Sequence, residues 1–267
     1  RSPTVTGVQT CALPICKVIK LDFKAAADGT PVRIVSGSNT RDITVGTVWE
    51  GTTYYTADGT EMKVYGDIIG FDCQGNGANL TAIDVSHNTL LEVLLCQGNR
   101  LSILDVSKNT QLTELYCYRN QLSSLDISKN TQLGWLYCYG NNFSTAALDD
   151  IYCSLPDRTG TTNGKIQPVY SDTSSNHAIV LATNKANAIA KNWKVQYYAD
   201  DTDIPATTGS YVCPATDIAE AAAEPALTLY PNPVADVLYL SATARTVRIY
   251  NAPTRSEERR VGKECRS

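Results

Sequence analysis

Cys96, Cys117 and Cys138 stand 21 residues apart, a spacing that raises the question of metal or disulfide chemistry. A row of thiols can hold a soft metal, yet the chain has only two histidines, and His87 falls in the other half of the interval. In-register residues on neighbouring parallel strands are poorly placed for disulfides. The remaining reading is a small buried hydrophobe filling a narrow core. Asp84, Asp105 and Asp126 form a second series at the same interval. Bound Ca²⁺ would offset their repulsion. So would Lys108 and Lys129, or hydrogen bonds from turn amides and from Ser107 and Ser128. Cys153 and Cys213 are a further possible pair, which the sequence leaves open.

General acid–base work needs two groups facing one cleft, and adjacency does not supply that. Asp149-Asp150 and Asp200-Asp201 are therefore expected in structural or solvating roles. His177 sits in an apolar-periodic stretch without an evident nucleophile, and there is neither a Gly-rich phosphate loop after a strand nor a G-x-S-x-G elbow. The reading is a non-enzyme, with no catalytic residue, cofactor or metal site expected.

Aromatic residues are patterned too. The chain carries 15 tyrosines against 3 phenylalanines, and several fall at alternate positions in the 21-residue interval. Leu95, Tyr116 and Tyr137 form one column, Gln97, Tyr118 and Tyr139 the next, and Val93, Glu114 and Trp135 a third, with Arg119 at the edge. Tyr, Trp and Arg dominate binding hot spots, and planar rings also suit stacking on sugars. The candidate binding face is thus Glu114, Tyr116, Tyr118, Arg119, Trp135, Tyr137 and Tyr139, for a protein or a carbohydrate ligand. Against it stands the reading that cross-strand tyrosines only stabilise a sheet.

What must position these residues is a repeat. From Leu80 the chain divides into halves of 11 and 10 residues, such as Leu101-x-x-Leu104-x-Val106-x-x-Asn109 and Leu112-x-x-Leu115-x-Cys117-x-x-Asn120. Side chains alternate across a strand, so Leu115 and Cys117 face inward and Tyr116 and Tyr118 outward. One such strand cannot bury its apolar side alone, whereas stacked coils make a parallel sheet over a continuous core. The expected repeat core is Leu94, Cys96, Leu115, Cys117, Leu136 and Cys138, with Asn99, Asn120 and Asn141 turning the chain after each strand.

These segments resemble the leucine-rich repeat family, whose L-x-x-L-x-L-x-x-N-x-L signature matches Leu112 to Leu122 with Cys117 in the third apolar place. The likeness is greatest to the short secreted bacterial subtype built on L-D-V-S-K-N and L-Y-C-x-x-N-x-L. It implies an α+β repeat fold: a short leucine-rich-repeat solenoid of parallel strands over 73–144. A β-rich N-terminal cap is expected over 16–72, with strands near 17–23, 32–35, 52–56 and 61–65. A mixed α/β C-terminal cap is expected over 145–198, with helices over 146–155 and 177–193 and strands over 165–170 and 194–198. Residues 199–226 read as a linker. Residues 227–254, with Leu229-Tyr230-Pro231-Asn232-Pro233-Val234 and Val247-Arg248-Ile249-Tyr250-Asn251, resemble the start of a type IX secretion C-terminal sorting domain, truncated here. That resemblance implies engagement with export machinery and residence in the medium or on the outer-membrane surface of a Gram-negative bacterium.

The ends read differently. Residues 5–15 and 255–267 look like translated sequencing adapters, and the latter back-translates in frame, so 1–15 and 255–267 are set apart as artefact. Without them 17 basic and 24 acidic residues remain, a net charge of −7 instead of −4, and Cys11 and Cys265 drop out. An acidic balance argues against nucleic acid, and a charged fraction of 19% with 43% apolar residues argues against wholesale disorder. No apolar run reaches the ~20 residues of a membrane span. The functional expectation is a non-enzymatic secreted or cell-surface repeat protein recognising a protein or glycan through its strand face. The alternative is an accessory module of a larger secreted hydrolase whose catalytic domain lies upstream of this fragment.

Overall fold

The structure, a computed structural model, describes residues 8–12, 17–214, 229–230 and 239–240. Strand β1 (Val8–Ala12) precedes β2 (Val18–Ala25), in which Ile19, Leu21, Phe23 and Ala25 alternate into the core. Strands β3 (Thr30–Ser36) and β4 (Asn39–Val45) form a hairpin turning at Gly37 and Ser38, where Gly37 takes a left-handed φ of 57°. β5 (Thr53–Thr56), β6 (Glu61–Tyr65) and β7 (Ile68–Asp72) complete the N-terminal region. Thus 8–12, within the stretch set apart as adapter, is paired strand.

The 21-residue coils follow. β8 (Ala82–Asp84) lies in an 11-residue half, and β9 (Val93–Leu95), β10 (Glu114–Tyr116) and β11 (Trp135–Tyr137) in three successive 10-residue halves. The last three pair in parallel with no shift in register. Beneath them Leu94, Leu115, Leu136, Cys96, Cys117 and Cys138 are fully buried, as are Leu80, Leu101 and Leu122 from the other halves.

Asparagines bind each coil to the last. The Asn120 Nδ2 donates to the carbonyls of Cys96 (2.9 Å) and Cys117 (3.0 Å), while its Oδ1 accepts from the Leu101 amide (3.0 Å). Asn141 makes the equivalent bonds one coil on, and Asn99 donates likewise to Cys73 and Cys96, though its Oδ1 accepts instead from the Asn76 amide. In the 11-residue halves Asn109 and Asn130 likewise donate to carbonyls of their preceding coils. A short amide side chain supplies both donor and acceptor where the backbone turns, which is why no other residue type fills these places.

The C-terminal region continues the sheet. Helix α1 (Thr145–Ser154) starts at Ser144, whose Oγ accepts the Ala147 amide, and it buries Leu148, Ile151 and Tyr152. β12 (Gly164–Val169) and β13 (Trp193–Tyr197) add in parallel to β11. Between them the single helix expected over 177–193 is instead two short ones, α2 (His177–Leu181) and α3 (Ala186–Ile189). The break accompanies one local and one distant side-chain bond. Thr183 Oγ1 donates back to the Val180 carbonyl at 2.6 Å, and the Asn184 amide donates to Asp149 Oδ1 at 2.7 Å, leaving the helical ladder.

Strand order is β13-β12-β11-β10-β9-β7-β2-β5 in one sheet and β4-β3-β6-β1-β8 in the other. The long sheet therefore runs unbroken from the N-terminal region through the repeats into the C-terminal region, changing from antiparallel to parallel pairing at β7. The expected linker is also shorter than composition indicates, because 199–214 packs onto the C-terminal region. There the amides of Thr208 and Gly209 donate to Leu181 and Thr183, Tyr211 bonds Asp150 (3.0 Å), and Cys213 is disulfide-bonded to Cys153.

Residues 215–267 form a separate unit, of which β14 (Leu229–Tyr230) and β15 (Tyr239–Leu240) are described as an antiparallel pair. The rest of the sorting-domain resemblance, including 247–251, lies outside the described residues.

Candidate functional site

Register alone lays the outward residues in rows. One runs Gly70, Val93, Glu114, Trp135, Lys165, Lys194, and the next Asp72, Leu95, Tyr116, Tyr137, Gln167. A third follows the strands, where backbone bonds Gly98 to Tyr118 and Arg119 to Tyr139 align Gln97, Tyr118 and Tyr139. Because strands in a sheet lie ~4.8 Å apart, aromatic neighbours along a row must touch. Tyr116 and Tyr137 are 4.4 Å apart between ring centroids, and Tyr118 and Tyr139 are 4.5 Å apart and nearly parallel at 11°.

Two tyrosines not singled out from the sequence close the cluster. Tyr198 lies 4.5 Å from Tyr139 and 5.4 Å from Tyr118, and Tyr170 is 5.6 Å from Tyr139. Both are the last residues of the strands expected over 165–170 and 194–198 and directly follow the observed β12 and β13, so extending the outward column into the C-terminal region would have found them. The consequence falls on Tyr139. Enclosed by Tyr118, Tyr170, Tyr198 and the Arg119 guanidinium (5.9 Å from its ring centre), it is only 3% exposed and supports the face instead of presenting itself. Trp135 and Tyr170, each 44% exposed, stand at the open margin.

The phenols stay protonated through the physiological range. Desolvation raises the pKa of Tyr116, Tyr137 and Tyr139, and it pushes Tyr118 up to about 12. The cluster therefore offers hydroxyl donors and ring edges, while mutual stacking covers much of its ring faces. Beside it Lys165 pairs with Asp201 at 3.0 Å, and Gln167 donates to the same carboxylate at 2.6 Å. On the far side Asp72 and Asp22 face each other across β7 and β2, and burial raises the Asp72 carboxyl.

Arg119 has the most unusual backbone of the face. Its φ is 53°, the left-handed region that disfavours a Cβ. The equivalent residues of the neighbouring coils are glycines, Gly98 (φ 69°) and Gly140 (φ 66°). A Cβ on Gly140 would meet the Arg119 Cγ at 3.3 Å, so the arginine is accommodated by the glycine that follows it. The sequence carries this signal in Gln-Gly-Asn, Tyr-Arg-Asn and Tyr-Gly-Asn at 97–99, 118–120 and 139–141.

The other candidates resolve into structural partners. Cys96, Cys117 and Cys138 are buried outside any disulfide, and desolvation pushes Cys117 up to about 12. Asp84, Asp105 and Asp126 each accept the amide of the serine two residues on, at 2.8–2.9 Å. Asp149 caps Asn184, Asp150 accepts Tyr211, Asp200 accepts Thr202, and His177 bonds the Tyr197 hydroxyl at 2.8 Å. Among the described residues no three His, Cys, Asp or Glu side chains converge to hold a metal, and no helix is long and apolar enough to cross a membrane.

Fold and site together define a short solenoid of 21-residue coils, its parallel sheet carrying an aromatic face. No family model and no curated protein matches the chain. Among solved structures it is similar to the functional domain of InlJ from Listeria monocytogenes, which includes a cysteine ladder. Identity there is 19% and the TM-score 0.30, over 51% of this chain and 31% of that one. It is also similar to InlF, an internalin of the same organism, at 20% identity and a TM-score of 0.31, over 51% of this chain and 49% of that one. The chain thus spans less than half the length of each of these two structures.

Proposed function

We propose that this chain is a non-enzymatic recognition module that binds a protein partner through Glu114, Tyr116, Tyr118, Arg119, Trp135 and Tyr137, with Tyr139 as their buried support. The observation that carries this reading is Arg119, held in a left-handed conformation that flanking coils assign to glycine. Backbone strain of this kind costs of order 1–3 kcal/mol and clusters at functional sites. A protein is favoured over a glycan by the ring geometry. Stacking a sugar requires an open ring face, whereas Tyr118 has Tyr139 stacked on it at 4.5 Å and Tyr116 and Tyr137 cover each other at 4.4 Å. Ring edges and protonated hydroxyls instead suit backbone carbonyls and carboxylates.

Export belongs to the same proposal. The Cys153–Cys213 disulfide is the kind that persists in oxidising compartments, which supports display outside the cell. Delivery by a sorting domain over 227–254, a Gram-negative outer surface, and the adapter origin of 1–15 and 255–267 complete it. A displayed peptide library and a glycan array, each probed with the wild-type chain and with Trp135→Ser and Tyr118→Ser variants, test the face. Peptides retained by the wild type and lost by both variants are the expected result. A glycan lost by the same variants would replace protein by sugar as the ligand, and ligands indifferent to both would remove the face as the binding site.

A further inference from the structure

Strand β1 occupies an unusual place. It lies between β6 and β8 and runs antiparallel to both, in register with Glu61–Tyr65 over five residue pairs and with Ala82–Asp84 over three. Thr10 is opposite Lys63 on one side and Asp84 on the other. Among the described residues it links the N-terminal strands of this sheet to the 11-residue halves of the repeat, since β6 there is otherwise paired with β3.

Two points bear on how far this depends on the sequence of β1. The 11-residue halves are near copies of one another, yet only Ala82–Asp84 is a strand. The equivalent residues 103–105 and 124–126 have no strand pairing. Extended pairing at β8 therefore comes with the partner lying beside it, not from the repeat. The partner, Val-Gln-Thr-Cys-Ala, falls wholly inside the run read as adapter, and on that reading has no history in this sheet. What selects a strand here is the pair of backbone edges.

We infer that the gap between β6 and β8 is a strand-accepting slot, filled in the parent protein by the residues immediately N-terminal to Lys17. This inference rests on the adapter reading of 1–15. An unpaired edge on β6 would be exposed to fortuitous pairing, and a third strand satisfies β6 and β8 together. Main-chain hydrogen bonds supply affinity in strand addition, so tolerance of sequence is expected. Only residues 13–17 separate β1 from β2. A segment joined directly to β2 reaches the slot through a five-residue tether and competes at high effective concentration against any free strand.

Hydrogen–deuterium exchange on the full chain tests this, with the amides of β9, β10 and β11 reporting that the solenoid is intact. Adjacent residues of a strand direct their N–H groups to opposite edges, so the pair Thr10→Pro and Cys11→Pro removes donors to both. Exchange in Glu61–Tyr65 and Ala82–Asp84 should then rise at least tenfold, and an added peptide of alternating threonine and valine should restore protection. A second chain carrying Thr-Val-Thr-Val-Thr at 8–12 should keep it without any peptide. Unchanged exchange in the proline variant, or loss of protection in the Thr-Val chain, overturns the slot. The adapter reading fails separately, if genomic sequence of the parent encodes 5–15 contiguously with Lys17; the exchange results then still decide whether the slot exists, with β1 as its native occupant.

Discussion

Arg119 concentrates the residue-scale argument. A left-handed non-glycine backbone costs of order 1 kcal/mol or more, so Arg119→Gly should raise stability by about 1 kcal/mol in urea denaturation. The same change should weaken binding of any peptide selected on the wild-type face. Equal losses in both would mean the arginine serves only the fold. The tyrosines make a pH prediction. Their folded pKa values lie above the ordinary value of 10, so the unfolded chain releases these protons first as pH rises. Stability from this source is complete below pH 10 and declines from there through about 12, the Tyr118 value. Denaturation midpoints should therefore fall above pH 10, with ultraviolet titration showing phenolate appearing late in the folded state. At this scale the sequence was legible where one residue type repeats, as with Asn99, Asn120 and Asn141. It was less so at Tyr139, whose burial depends on Tyr170 and Tyr198 arriving from outside the repeat.

Among the elements, those with a strict period were readable and those decided by single hydrogen bonds were not. Strands β9, β10 and β11 follow from inward Leu and Cys alternating with outward residues, which are tyrosines at β10 and β11 and Leu95 and Gln97 at β9. The break between α2 and α3 follows from Asn184 choosing Asp149, a partner 35 residues away that no local pattern announces. Residues 199–214 look like a linker by composition, yet they are held by tertiary bonds and by Cys213. The disulfide closes a loop with a sequence separation of 60, and removing such a link typically costs about 2–5 kcal/mol. Mild reduction should therefore lower the denaturation midpoint and raise exchange in 199–214 first. Cys96, Cys117 and Cys138, fully buried with raised pKa values, should stay unreactive to a thiol reagent until the solenoid itself unfolds. Early labelling of these three would contradict the packing described.

At the scale of the molecule, the long sheet makes one structure of three stretches that composition separates. Buried residues of the N-terminal region, such as Phe71, stand in register with repeat positions such as Leu94. Leu115→Ala, at the centre of the sheet, should cost about 2–5 kcal/mol. It should shift unfolding of 17–214 as one transition, detected alike by tryptophan fluorescence and circular dichroism; two separated transitions would show that the end regions fold apart from the coils. The repeat was legible because each coil restates it. Continuity into β7 and β12 was not, because neither strand lies within the 21-residue repeat whose period announces the pairing of its neighbours.

The Cys153–Cys213 bond has a mechanical consequence. Cys213 is followed by Pro214, the last residue of the first unit, so any pull on the downstream chain enters that unit at this sulfur. The force passes straight across to Cys153 in α1, and the intervening residues, with β12, β13 and Tyr170 and Tyr198, lie outside the loaded path. A protein tethered through its C-terminal side could thus bear traction while the aromatic face stays assembled, with the covalent bond carrying strain that hydrogen bonds alone would have to resist.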